Sequence, residues 1–356
     1  MFFGICGKKE SHMKKTFFLV MMFSVLLSCA ANAKSKKSKN NEPDWYKNPK
    51  SVYPEQLYLT AIGTGDNGSD AENDAAANIS KIFESVVKTE QTVNQRYSEL
   101  IKGDEISVQD QTDINKNVNV QAGQTLFNLQ FAERFSDNKG QVHVLAYLHR
   151  MKTADIYEEK INANAERILY FEKHSNNNKN ILKKYAFMNA AGVVSQTNQI
   201  LIDQLNIIYP DGLSFLELNY ERNEIMKKNA ELAKQISFKI SLGNDPEFKV
   251  TSVLEQMLTE SGFVLSENPV LKITGITVFE NTDLKRDDGY KFVRYNFNLK
   301  ITDPDENIIV SAYEKGKEGH TTYFEAQERC VRKIAKKINK SVKKKITAYF
   351  DGLVTK

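Results

Sequence analysis

Gly63-Thr64-Gly65-Asp66-Asn67-Gly68 is a G-x-G-x-x-G run between an apolar strand and a helix, the context in which bare amides and a helix N-terminus hold a pyrophosphate. Asp66, Asp70, Glu72 and Asp74 crowd the same turn with negative charge, which opposes a phosphate. No clear parallel strand ending in a ribose-binding acid follows, so the run is expected to be a structural turn and no cofactor is expected. Asp303, Asp305, Asn307 and Glu314 match positions 1, 3, 5 and 12 of a calcium loop, but Ile308 stands at position 6, where the sharp turn needs glycine. A hairpin turn is the plainer account. His143 and His149 share one face of a strand, but at about 3.3 Å per residue they are too far apart to share a metal without a third ligand from elsewhere. Cys330 falls on an apolar stripe with Ile334, Ile338, Val342 and Ile346 and reads as a buried, inert thiol. These residues form no catalytic constellation, so neither an enzyme nor a metal site is expected.

The helix from about Thr322 to Phe350 carries Arg329, Arg332, Lys333, Lys336, Lys337, Lys340, Lys343, Lys344 and Lys345 against Glu325 and Glu328. Such a face suits anionic lipid headgroups, peptidoglycan stems or an acidic partner, and Lys336, Lys337, Lys340 and Lys344 are the candidate partner-binding residues. The plain alternative is a solvated face on a core-packing helix. Trp45, the only tryptophan, is expected to cap the core of the first lobe, with a partner-binding aromatic as the alternative.

Met13-Lys14-Lys15-Thr16-Phe17-Phe18-Leu19-Val20 opens a segment that runs through Val25-Leu26-Leu27-Ser28 to Cys29. Two lysines, an apolar run too short to span a bilayer and a small residue just before a thiol make a bacterial lipoprotein signal. The Cys29 thiol would take a diacylglyceryl group before cleavage. Each buried methylene of such a chain is worth roughly 0.8 kcal/mol, and two or more chains anchor a protein stably. Ala31-Asn32-Ala33 offers the alternative of ordinary secretion with cleavage after Ala33. Residues 1–12 carry no signal features, which points to Met13 as the true start. Ala30 and Ala31 lack the acidic residue that marks inner-membrane retention in enteric bacteria, which favours the periplasmic face of the outer membrane.

The elements that must position these residues follow from composition and periodicity. The chain of 356 residues is longer than one core usually serves, even without residues 1–28, so two compact domains are expected. The formal net charge is +4, but the signal and the lysines at 34, 36, 37 and 39 account for more than that, leaving a mildly acidic body. That body lacks an overall basic footprint for nucleic acid. Of three cysteines, only Cys330 stands beyond Cys29, so no intramolecular disulfide is possible.

Residues 29–42 read as a tether, with Lys34 to Asn41 lacking any apolar residue. A first lobe at 43–152 has the order β-α-β-β. Its strand is Leu57 to Ile62, its helix is capped by Ser69 and Glu72 and buries Ala75, Ile79, Ile82, Phe83 and Val86, and its hairpin joins 127–135 to 142–148. A helical arm at 153–235 holds helices over about 153–174, 181–208 and 214–234. A second lobe at 236–356, read as β-α-β-β-β-α, has an N-cap at Asp245, a helix stop at Gly262 and strands at 263–265, 270–279, 290–302 and 308–314. The expected class is α+β, two lobes joined by a long helical arm.

Pro43-Asp44-Trp45, the strand ending in Ala61-Ile62-Gly63-Thr64-Gly65, the Ala-rich helix at 71–77 and the strand Val142 to Arg150 come in the order seen in the Lpp-twenty family of envelope lipoproteins. The resemblance covers about residues 43–165. His149 replaces the acidic residue of the family's final Ala-x-Leu-Asp-Arg-like segment. A similar module forms the amino-terminal domain of flagellar assembly protein T. The second lobe resembles, more weakly, TolB amino-terminal domains and the curli secretion lipoprotein, through Ser261-Gly262-Phe263 and Ile273-Thr274-Gly275. These resemblances imply a non-enzymatic scaffold or accessory of outer-membrane or flagellar assembly, lipid-anchored and meeting envelope proteins or peptidoglycan. The alternative they imply is an oligomerising secretion component or cell-wall regulator.

Overall fold

The computed structural model describes residues 42–83, 90–101, 118–121, 124–282 and 289–354. The signal with Cys29, the alternative cleavage site at Ala33, the lysine-rich tether and Val86 lie outside the described residues. Pro43–Lys356 forms one compact unit, in which a four-stranded and a five-stranded sheet are bridged by helices and a two-stranded sheet is separate from both.

The chain enters through two single-turn helices, α1 (Asp44–Lys47) and α2 (Pro49–Val52), and continues as β1 (Tyr58–Gly65), α3 (Gly68–Lys81) and α4 (Glu90–Ile101). Four short strands follow, β2 (Val118–Gln121), β3 (Gln124–Phe127), β4 (Gln130–Phe131) and β5 (Phe135–Ser136), and then β6 (Val142–His149). Strand β1 pairs antiparallel with β6 along its whole length, from Tyr58 opposite His149 to Gly65 opposite Val142. Helix α3 buries Ala71, Ala75, Ala76 and Ile79 against this sheet, while Ile82 is exposed. Its N-cap is Asn67, whose side chain accepts from the Asp70 amide, two residues before the expected Ser69. Trp45 is buried in a small cluster with Phe135 and Leu145, lined by Tyr46, Tyr53 and Ile62.

The expected hairpin arm at 127–135 is broken into pieces. Asn128 adopts a positive φ of 60° and hands its side chain to Thr153, so β3 turns away to pair with β2, and only β4 and β5 pair with β6. The alternation survives because the two short strands and an Ala132 amide bond to the Leu145 carbonyl still follow β6.

Helices α5 (Arg150–Asn177) and α6 (Ile181–Ile208) form the arm, followed by a 3-10 turn at Pro210–Phe215 and α7 (Arg222–Ala233). The third helix starts eight residues later than the expected Ser214. Leu213 and Leu216 pack beneath the first sheet, and the Tyr220 hydroxyl meets the Asn198 side chain, which holds the segment extended.

The second lobe builds on β7 (Ser237–Gly243), α8 (Lys249–Glu260), β8 (Val264–Leu265), β9 (Leu271–Thr282), β10 (Lys291–Thr302) and β11 (Ile308–His320). The sheet order is β11-β10-β9-β7-β8, with β7 parallel to β8 and β9 and the rest antiparallel. Counting the two-residue β8, the sheet has five strands. Asp245 caps α8 at a distance. Its carboxylate accepts the amides of Val250 and Thr251, because a 3-10 turn with Glu247 and Phe248 at positive φ lies between. Helix α8 ends in a Schellman motif, with Gly262 at φ 84°, its amide on Thr259 and the Phe263 amide on Leu258.

The chain closes with α9 (Tyr323–Lys337), a π-helical turn at Ile338–Val342 and α10 (Lys343–Gly352). Helices α8, α9 and α10 cover one face of the sheet, where Val293, Tyr295, Phe297, Leu299 and Ile301 of β10 are buried. Arg294, Asn296, Asn298 and Lys300, the intervening residues, are exposed on the other. The fold is α+β with two lobes joined by long helices. No helix among the described residues is long and apolar enough to cross a membrane.

Candidate interaction surface

The G-x-G-x-x-G run serves strand–helix contact. A Cβ on Gly63 would stand 2.0 Å from the Ala75 nitrogen, and one on Gly65 would stand 2.5 Å from that of Ala71. Two amides of the turn are taken by the chain itself, Thr64 N–H by the Asp74 carboxylate at 2.9 Å and Asp70 N–H by Asn67. Strand β1 also pairs antiparallel with β6, whereas a dinucleotide fold needs a parallel crossover.

Asp303 forms the hairpin turn between β10 and β11, accepting the amides of Asp305 and Asn307 and the Asn307 side chain. Those bonds hold its carboxyl below the ordinary carboxylate range. Glu314 points to the opposite face of the sheet, toward α9. No group of three His, Cys, Asp or Glu among the described residues is placed to hold a metal ion.

His143 stands opposite Thr64, with Nδ1 3.1 Å from the Thr64 hydroxyl and Nε2 3.3 Å from Asp137 Oδ2. Hydroxyl, imidazole and carboxylate in a chain invite comparison with a nucleophile, base and orienter. The surroundings serve the hairpin instead. Asp137 Oδ1 binds the amides of Lys139 and Gln141 in the turn, and the imidazole packs against Tyr46 and Phe135. Burial alone would raise the Asp137 pKa, but the His143 bond and the two amides lower it. His149 lies at the far end of the strand as the N-cap of α5, accepting the Lys152 amide.

Cys330 is fully buried, with its Sγ 3.6 Å from the Val293 carbonyl oxygen. Burial, reinforced by Glu318, pushes its thiol up to about 11.

The four candidate lysines do not form one patch. Lys337 is bridged to Glu314 at 3.0 Å and Lys344 to Glu99 of α4 at 3.2 Å, so both tie the closing helices to the rest of the fold. Such partly exposed bridges are each worth up to about 1 kcal/mol. Lys336 and Lys340 are exposed and form no ion pair among the described residues. Arg332 precedes them by one helical repeat on the same side and is also exposed, so the available strip is Arg332, Lys336 and Lys340.

Sequence reasoning missed a second charged surface, the outer face of the second sheet. There Arg294 of β10 lies beside Lys315 and Lys317 of β11, and Lys300 stands farther along β10 on the same face, opposite Ser311, all four cations exposed. The signal was present in the sequence as cations on alternate residues of two strands. A separate hollow of about 230 Å³, lined by Arg96, Tyr185, Asn189, Asn229 and Lys343 among others, sits between the arm and α10. Beside it, burial raises the Asp351 pKa against the lowering effect of Arg96.

No protein-family profile and no curated protein matches the chain. Among solved structures, a secreted protein of Helicobacter pylori is similar over 82% of this chain and 97% of its own, at 13% identity and a TM-score of 0.41. A minor lipoprotein of Acinetobacter baumannii is similar over 33% of this chain and 92% of its own, at 17% identity and a TM-score of 0.25. TM-scores this low carry no argument about this chain.

Proposed function

We propose that this chain is a lipid-anchored, non-enzymatic binding protein of the bacterial envelope, an accessory of outer-membrane or flagellar assembly that meets envelope proteins or peptidoglycan through charged faces. One observation carries the binding part. The residues with catalytic or ligand-holding potential are engaged in packing, turns and caps, while the strip of Arg332, Lys336 and Lys340 stays exposed and without ion pairs among the described residues. The anchor rests on the signal that ends at Cys29, and the resemblance of residues 43–165 to Lpp-twenty lipoproteins is in keeping with it.

The test uses two variants in cells. Cys29→Ser is expected to abolish fatty-acid labelling and to leave the detergent phase. In that background, K336E/K340E is expected to lower recovery with sedimented membranes and peptidoglycan, without disturbing the bridges of Lys337 and Lys344. Fatty-acid labelling that persists in Cys29→Ser removes the anchor, and unchanged recovery of K336E/K340E removes the helix strip as the binding face.

A further inference from the structure

The outer face of the second sheet concentrates positive charge that no carboxylate among the described residues neutralises. Among the described residues, Arg294, Lys300, Lys315 and Lys317 pair with no carboxylate. In the register, Arg294 stands directly opposite Lys317, and like charges in that position destabilise a sheet. Glu280, across from Arg294 on β9, also lines this face and makes no ion pair with it among the described residues. The carboxylates of β11 behave otherwise. Glu314 and Glu318 point to the opposite face, 3.0 Å from Lys337 and 3.7 Å from Lys333 of α9. The strand thus sends its acids inward to ion pairs and its bases outward to no carboxylate among the described residues, with Lys317 lying over the Phe292 ring.

The same face is open to solvent and carries side chains suited to binding. An open hollow of about 650 Å³ runs over β9, β10 and β11, lined by Arg294, Asn296, Lys315 and Lys317 among others. That volume falls within the roughly 300–1,000 Å³ of ligand clefts. Asn298 follows Asn296 on the central strand and is flanked across the sheet by Ile276 and by Tyr313, which is 51% exposed. Carboxamides suit hydroxyl and acetamido groups, an exposed tyrosine ring suits the C–H face of a sugar, and the cations suit carboxylates. A bilayer is flat and would meet only the rim of a hollow. Single-stranded nucleic acid is held by successive aromatic platforms, whereas the ring that lines this hollow, Tyr295, is buried, Tyr313 stands beside it, and Tyr290 packs on Phe292, which lies under Lys317. An extended peptide adds to a sheet edge, not a face.

We propose that this face binds an acidic glycan, a linear sugar polymer carrying carboxylates, with Arg294, Lys315 and Lys317 meeting the charges and Asn296, Asn298 and Tyr313 meeting the sugar rings. The proposal names a partner class for the envelope binding protein above, but it does not depend on the anchor or on the helix strip. Its test therefore uses the full chain carrying Cys29→Ser throughout, titrated with polygalacturonate by calorimetry. Saturable binding is expected, weakened about tenfold or more by K315E/K317E and measurably by the neutral pair K315S/K317S and by Tyr313→Ala. K336E/K340E, on the other face, is expected to leave it unchanged. The proposal is overturned by absence of saturable binding, or by an equal loss in K336E/K340E, which would mean diffuse attraction to any polyanion. Tighter binding to polyuridylate or to phosphatidylglycerol vesicles than to polygalacturonate overturns it as well.

Discussion

Cys330 illustrates how one residue's surroundings fix its chemistry. A free thiol near pKa ~8.5 is partly thiolate at pH 8 and reacts readily with alkylating reagents. Burial pushes Cys330 up to about 11, so it stays protonated over the physiological range, and the reagent has no path to it between α9 and β10. Alkylation of the peptide carrying Cys330, followed by mass spectrometry at pH 8, is therefore expected to run about a hundredfold or more slower in the native protein than in guanidinium. Rapid labelling of the native protein would mean that α9 lifts from the sheet and that Cys330 is an accessible thiol. His143 belongs at the same scale. Its neighbours were invisible in sequence because Thr64 lies on another strand, and only the β1–β6 register brings the two together.

At the scale of elements, what was legible depended on how far the period of the sequence matched the element. Strand β10 alternates without a break, so its inner and outer faces could be read directly. The hairpin arm could not, because one residue, Asn128, takes a positive φ that alternation does not reveal. The lysines of the closing helices were legible as cations, but their partners were not, since Glu99 lies 245 residues before Lys344. The closing helices hold a subtler signal. Ala326, Cys330, Ile334, Ile338, Val342, Ile346 and Phe350 are all buried and recur every four residues. On an ideal α-helix each such step overshoots a turn by about 40°, and six steps carry the stripe well round to the solvent side. The π-turn at Ile338–Val342 holds more residues per turn and returns the stripe to the sheet. The wide turn takes up one surplus residue, so deleting Asn339, which is exposed in it, should leave ordinary α-helix with Val342, Ile346 and Phe350 still in the core. Inserting an alanine after Asn339 adds a residue the turn does not absorb and should rotate those side chains out of the core by about 100°. At about 1.5–3 kcal/mol for each side chain, the insertion is expected to cost several kcal/mol in urea unfolding followed by circular dichroism, whereas the deletion costs little. Equal stability of the two variants would mean that the π-turn plays no part in holding the register.

At the scale of the whole molecule, α6 is the element that both lobes share. Its 28 residues extend about 42 Å. Leu182, Tyr185 and Ala186 near its start belong to the core of the second sheet, and Leu201, Leu205 and Ile208 near its end to that of the first. Between them Met188, Ala190, Ala191 and Val194 pack with Ile168 and Phe171 of α5 and Ile225 of α7. A helix gains most of its stability from packing, so neither core can be lost without exposing half of α6 and loosening the turn that feeds the other. The two lobes should therefore unfold together, although each has its own sheet. Trp45 reports this cleanly, because the single tryptophan sits in the first lobe, far along the chain from the second core. Leu254→Ala empties a fully buried site on α8 in the second lobe and should cost about 2–5 kcal/mol. Coupling through α6 predicts that the Trp45 emission midpoint in urea falls by as much as the midpoint seen by circular dichroism. A Trp45 midpoint that stays at the wild-type value while circular dichroism shows an earlier transition would mean that the arm joins two independent domains.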